Sequence, residues 1–187
     1  HPNDFRVISL LGNAYAANND MDAAIKALNK AVKLKPDEAA VRLQLGSALL
    51  RGNSAVDQGQ KEIIKAIELD PELQRAELIL FASYIKDKKI ADARKVAKSI
   101  ELKKPDSSLG SNLNAVTYLV EENKNKAMSL LTDILKKFPA DPLTSNNLAR
   151  IYLQDKELNK AKKLYQDVLA KTPDNLNVLN QMALIAS

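Results

Sequence analysis

The chain has no cysteine and no tryptophan, and its one histidine is its first residue, His1. Without thiols there is no disulfide, no thiolate nucleophile and no thiolate metal site, and the redox compartment stays open. With a single imidazole placed ahead of the first expected helix, no histidine-based triad, proton relay or multi-histidine metal site can be assembled. The five glycines, Gly12, Gly46, Gly52, Gly59 and Gly110, are scattered and form no phosphate-cradling loop. Glu121 and Glu122 are consecutive at an expected helix end, so these carboxylates do not share a face. An enzyme is therefore disfavoured, and neither cofactor nor metal is expected. No apolar run approaches the roughly 20 residues that cross a bilayer, and no basic-then-apolar leader opens the chain. Because it begins His1-Pro2 rather than with methionine, the chain is expected to be a fragment whose true N-terminus, with any targeting signal, is missing.

What is present is a period. Pro36, Pro71, Pro105, Pro139 and Pro173 fall 35, 34, 34 and 34 residues apart, in a chain that is 45% hydrophobic and 27% charged. A period of this size with a helical apolar pattern between the prolines predicts stacked helical hairpins. Small residues at Gly12, Gly46, Ala115 and Ala149, facing Ala24, Ala93, Ala127 and Ala161, let paired helices approach closely. Each proline closes a unit because it cannot continue the outgoing helix but tolerates the start of the next.

The first unit reads Ile8, Leu11-Gly12, Tyr15, Ala24, Leu28, Ala31, Pro36, and it resembles a tetratricopeptide repeat (TPR), with Ile8 in place of the opening aromatic. Leu45-Gly46 to Pro71, Tyr84 with Ala93 to Pro105, Tyr118 with Ala127 to Pro139, and Tyr152 with Ala161 to Pro173 keep the pattern over nearly the whole chain. The resemblance implies an all-α fold, a right-handed TPR α-solenoid of antiparallel hairpins. It sets a single array with hairpins over about 4–36, 37–71, 72–105, 106–139 and 140–173 and a half-hairpin over 174–187. The last helix is too apolar for a terminal cap, so the array is expected to continue beyond Ser187 and the fragment to self-associate through this helix. Asp20 is the expected N-cap of the second helix, and Pro142 the first helical residue after Asp141. Arg51-Gly52-Asn53-Ser54 is the expected turn of the second hairpin, near which the extra residue of the 35-residue interval falls. Three positions depart from the pattern. Gly59 replaces alanine and is expected to make its hairpin the softest, Phe81 stands where a small residue belongs, and Asn114 occupies a core leucine slot.

In TPR arrays the first helices of successive hairpins line a concave groove that takes an extended peptide or a partner helix. Groove candidates in this chain are Asn112, Asn146 and Asn180, again 34 residues apart, with Asn147, Arg150, Asn177, Gln181, Val116 and Leu119. An amide donates and accepts, so a ladder of asparagines suits capture of a peptide backbone. Towards the N-terminus the same face is more apolar, through Leu43, Leu50, Leu78 and Ile85, and suits an amphipathic helix. The clamp by which some TPR cochaperones grip a C-terminal carboxylate is only partly present, with Ser9, Asn13, Gln44, Arg75 and Ile79 at its places.

The alternative site is a basic patch, in which Lys86, Lys88, Lys89, Arg94, Lys95, Lys98, Lys103 and Lys104 outnumber Asp87, Asp92 and Glu101. It suits an anionic polymer, polysaccharide or nucleic acid, the second the less expected for want of stacking aromatics. A narrower resemblance rests on Ala66-Ile67-Glu68-Leu69-Asp70-Pro71, Arg75-Ala76-Glu77-Leu78, Ala93-Arg94-Lys95-Val96-Ala97 and Asn147-Leu148-Ala149. These runs resemble the TPR lipoproteins encoded with bacterial exosortase (PEP-CTERM) systems. That implies an extracytoplasmic, lipid-anchored protein linked to exopolysaccharide production or protein sorting.

Overall fold

The computed structural model describes residues 4–52 and 55–186. His1, Pro2, Asn3, Asn53, Ser54 and Ser187 lie outside the described residues, and with Asn53 and Ser54 so does most of the expected turn of the second hairpin. Among the described residues there are eleven α-helices and no strand. The helices fall into two compact units, residues 1–88 and 89–187. The boundary lies between α5 and α6, inside the stretch from 72 to 105 that the repeat reads as one hairpin.

The N-terminal unit contains α1 (Phe5–Ala17), α2 (Met21–Leu34), α3 (Ala39–Gly52), α4 (Val56–Leu69) and α5 (Gln74–Lys86). Consecutive helices pack on one another, and α3 also touches α1 and α5. As expected, Asp20 caps α2, its carboxylate accepting from the Ala23 amide at 3.1 Å. Leu28, Leu45, Ala48 and Leu49 form one buried cluster and Ile8, Ala31 and Val41 another. At the crossing of α3 and α4 two glycines meet. A Cβ on Gly46 would lie 2.5 Å from Ile63 Cγ1 and 2.8 Å from the Gly59 carbonyl oxygen, too close to accommodate without backbone movement. Gly59 is the other member of this pair, a Cβ on it lying 3.0 Å from the Gly46 carbonyl oxygen. Arg42 reinforces the same hairpin, donating to Glu62 Oε2 at 2.5 Å and to the Pro36 carbonyl at 2.6 Å. Phe81 is buried on α5 despite the expectation of a small residue there.

The C-terminal unit contains α6 (Ile90–Lys103), α7 (Leu109–Val120), α8 (Lys124–Lys137), α9 (Pro142–Gln154), α10 (Leu158–Lys171) and α11 (Leu176–Ala186). Again each helix packs on the next, and α7 touches α9. Where the N-terminal unit uses Gly46 and Gly59, this unit uses fully buried alanines, Ala115 with Ala127 and Ala149 with Ala161. Pro142 is the first residue of α9 and Asp141 its N-cap. Lys137 and Lys171, 34 residues apart, each reach back to a proline carbonyl, Pro105 at 3.0 Å and Pro139 at 2.9 Å, pinning the end of one hairpin to the turn that opened it. Asn114, expected in the core, is only half-buried, and its carbonyl accepts from the Thr117 hydroxyl at 2.7 Å.

One turn design recurs in both units. Asn19, Lys88, Glu122 and Lys156 follow the ends of α1, α5, α7 and α9 in left-handed backbone, with φ of 63°, 58°, 58° and 61°. The amides of Asp20, Asn123 and Glu157 then reach the carbonyls of Tyr15, Tyr118 and Tyr152 at 2.9, 2.9 and 2.8 Å, closing a Schellman motif. The shared tyrosine slot is thus the residue whose carbonyl accepts the closing bond. Glu121 and Glu122 are likewise explained as helix cap and left-handed residue.

Candidate functional site

A concavity of the N-terminal unit lies along its first helices and has a volume of about 880 Å³. One stripe of each helix faces it: Asn13, Ala16 and Ala17 of α1, Ala40, Leu43, Ser47 and Leu50 of α3, and Ile79, Ala82 and Lys86 of α5. Small residues, Ala16, Ala17, Ala40, Ser47 and Ala82, make up much of its lining. Leu43, Leu50, Ile79, Val56 and Leu73 make its floor apolar, while Arg51, Arg75 and Lys86 bring positive charge. Asp87 is the one carboxylate among the described lining residues, and Gln60 donates to it at 2.7 Å and to the Ser83 hydroxyl at 2.8 Å. The site is built for an apolar face with polar or acidic margins. Of the residues read as apolar groove wall, Leu43 and Leu50 are here.

The C-terminal unit has a smaller concavity, about 350 Å³, lined by Val116, Leu119, Glu122, Lys124, Asn147, Arg150, Ile151 and Gln154. Four of the predicted groove residues, Val116, Leu119, Asn147 and Arg150, are brought together there. Asn112 is not: it is 1% exposed. Its amide nitrogen donates to the Ser108 carbonyl at 3.0 Å and to Thr144 Oγ1 at 2.8 Å, and its Oδ1 accepts from Asn147 at 3.0 Å. The Thr144 hydroxyl donates on to Asp141 at 2.6 Å, so Asn147, Asn112, Thr144 and Asp141 form a polar chain between α7 and the start of α9. Placing Asn112 in the groove is corrected on this ground, and the ladder loses its first rung. Asn146 is half-buried and accepts from the Tyr165 hydroxyl at 3.2 Å, while Asn177 and Asn180 are exposed and Gln181 half-buried on α11. Equal spacing did not produce equal exposure. Tyr165 itself, fully buried and with its hydroxyl pushed up by burial, was not singled out from the sequence.

The basic patch is largely balanced where α6 carries it. Arg94 is a packing residue: its guanidinium lies 4.6 Å from the Tyr118 ring centroid, donates to Thr117 Oγ1 and pairs with Glu121 at 2.9 Å. Lys95 pairs with Asp92 and Lys98 with Glu101, both at 2.9 Å, and Lys88, Lys103 and Lys104 are exposed. The Ser111 hydroxyl donates to Glu101 at 2.7 Å and, with Lys98, holds its carboxyl below the usual range. Among the described residues no cluster fit to hold a metal ion is found, and no helix is long and apolar enough to cross a membrane.

Two family models match the chain, one described as TPR repeat over residues 12–51 and one as Tetratricopeptide repeat over residues 121–185, together more than half of its length. The chain is a tetratricopeptide repeat protein. Its fold class is all-α, the TPR α-solenoid class of antiparallel helical hairpins. The solved TPR protein TTC0263 of Thermus thermophilus is 19% identical, with a TM-score of 0.61 over 98% of this chain and 99% of that one. PilF of Pseudomonas aeruginosa is 16% identical, TM-score 0.63, over 96% and 89%. YrrB, a TPR protein with an unusual peptide-binding site, is 15% identical, TM-score 0.58, over 97% and 93%. At such identities the likeness speaks for the fold alone. No curated protein matches the chain in sequence. The family models reach the repeat and not the narrower exosortase-associated lipoproteins.

Proposed function

We propose that this TPR chain is a non-catalytic interaction scaffold whose N-terminal unit binds a helical segment of a partner protein in the groove of α1, α3 and α5. The observation that carries this reading is the groove of about 880 Å³, apolar at its floor and opened by alanine and serine in the slots of Ala16, Ser47 and Ala82. An amphipathic helix anchors in such a groove through apolar residues at i, i+3, i+4 and i+7. The peptide-binding site of YrrB lends the reading support from a protein of the same fold. The concavity with Asn147, Arg150 and Gln154 is narrower and more polar, and suits an extended segment. Selecting helical peptides on the purified chain and repeating the selection on Ala82→Trp tests the assignment. The groove is the site if enrichment disappears in the variant, and it is not if enrichment persists.

Two finer readings follow from the same proposal. Leu176 and Leu184 of α11 are 74% and 70% exposed, whereas Val178, Met182 and Ile185 pack inward. Self-association through the outer face of α11 is therefore proposed, with Leu184 rather than Ile185 as its contact. Sedimentation velocity of wild type and Leu184→Lys across a concentration series tests it. The lipoprotein resemblance extends the scaffold to exopolysaccharide production or protein sorting at an extracytoplasmic site, and radiolabelled-lipid incorporation in the source cell tests that anchorage. The anionic-polymer alternative draws less support, because Arg94, Lys95 and Lys98 already face carboxylates.

A further inference from the structure

The proposed groove is not electrically neutral, and its charge narrows the kind of helix it can take. We infer that the occupant is an amphipathic helix whose apolar face is flanked by aspartate and glutamate, an inference that rests on the groove being the binding site. Arg51 stands exposed at the last turn of α3, Arg75 exposed in the first turn of α5 and Lys86 exposed at its end. Beside Arg51 and Arg75 the described lining holds one carboxylate, Asp87. A helix lying over Leu50 and Ile79 would bring its flanking positions to this rim. Acidic residues there meet the opposite charge of Arg51 and Arg75, and basic residues meet repulsion that desolvation strengthens. The floor contributes most of the affinity, and the rim selects among helices that fill it equally well.

The C-terminal concavity makes the contrast concrete. Its lining mixes Glu122 with Lys124 and Arg150, and Lys124 is itself ion-paired with Asp155.

The test is a displayed library of amphipathic helices with leucine fixed at i, i+3, i+4 and i+7 and all flanking positions randomised, selected on the wild-type chain, on Arg51→Glu/Arg75→Glu and on Ala82→Trp. Both arginines are exposed, and a melting curve for each variant confirms that it folds. Wild type is expected to enrich Asp and Glu in the flanks, and the charge-reversed variant to enrich Lys and Arg. A selected peptide should bind roughly three- to tenfold more tightly than its version with Gln for each acid at low salt, the scale of a few exposed ion pairs, with the difference shrinking as salt rises. Neutral flanks selected equally by wild type and charge-reversed protein, with enrichment still lost in Ala82→Trp, would overturn the acidic preference and leave the groove standing. No enrichment on wild type, or enrichment that survives Ala82→Trp, would overturn the groove and this inference together.

Discussion

One slot of the repeat separates the two units. Asn13, Ser47 and Ala82 hold it in the N-terminal unit, and Val116 and Arg150, the next residues in the same register, hold it in the C-terminal unit. The first set leaves about 880 Å³ open and the second about 350 Å³. The backbone plan is common to both, down to left-handed turn residues at Lys88 and Lys156. The repeat therefore decides which faces look into a groove, and the contrast of Ser47 and Ala82 with Val116 and Arg150 goes with the difference in open volume. A second difference lies between the helices. The N-terminal unit joins α3 and α4 through Gly46 and Gly59, while the C-terminal unit spans α7 and α9 with the buried chain of Asn112 and Thr144.

The largest expected effect breaks the first difference directly. Ala82→Arg copies Arg150 into the N-terminal groove and should weaken helix binding by about 2 kcal/mol or more, the scale of an interface hot spot, with the melting temperature little changed because Ala82 is exposed. Fluorescence anisotropy with a selected peptide measures it. Next, Asn112→Ala removes a buried amide with its bonds to Ser108, Thr144 and Asn147 and should destabilise the C-terminal unit by roughly 1–3 kcal/mol, while binding to the N-terminal groove stays at the wild-type level. Urea denaturation with parallel binding assays separates the two outcomes. Lys88→Gly and Lys156→Gly remove a side chain from a left-handed position and should stabilise by about 1 kcal/mol each, equally in both units if the turn is truly shared.

The smallest effect concerns pH and belongs to the C-terminal unit. The Ser111 hydroxyl and Lys98 hold the Glu101 carboxyl below its ordinary value, so Glu101 contributes stability at neutral pH. That contribution is present above the unfolded value of about 4.3 and is lost as pH falls through the lower folded value. Ser111→Ala should shrink this acid-side loss, measured as a smaller drop in melting temperature between neutral and acid buffer.

Most of the fold was legible because it is periodic. The prolines, the small residues at Gly46 and Ala149, and Asp20 and Asp141 as caps marked the helices to within a few residues of where they lie. The candidate site was legible only as a face. Leu43 and Leu50 were read as groove wall, but the open volume depends on Ala16, Ser47 and Ala82, whose message is missing bulk rather than any chemical group. Asn112 misled for a related reason. Spacing placed it with Asn146 and Asn180, yet its burial comes from the threonine of the next hairpin, Thr144, a contact across 32 residues that no local pattern encodes.

Methyl NMR of the chain titrated with a selected helical peptide tests the assignment of binding to the N-terminal groove most directly. Leu43, Leu50, Val56 and Ile79 line that groove, and Val116, Leu119 and Ile151 line the concavity of the C-terminal unit. The predicted result is saturable shifts of the first four methyl-bearing residues with the last three unmoved. Saturable shifts at Val116, Leu119 and Ile151, with Leu50 and Ile79 unmoved, would contradict it.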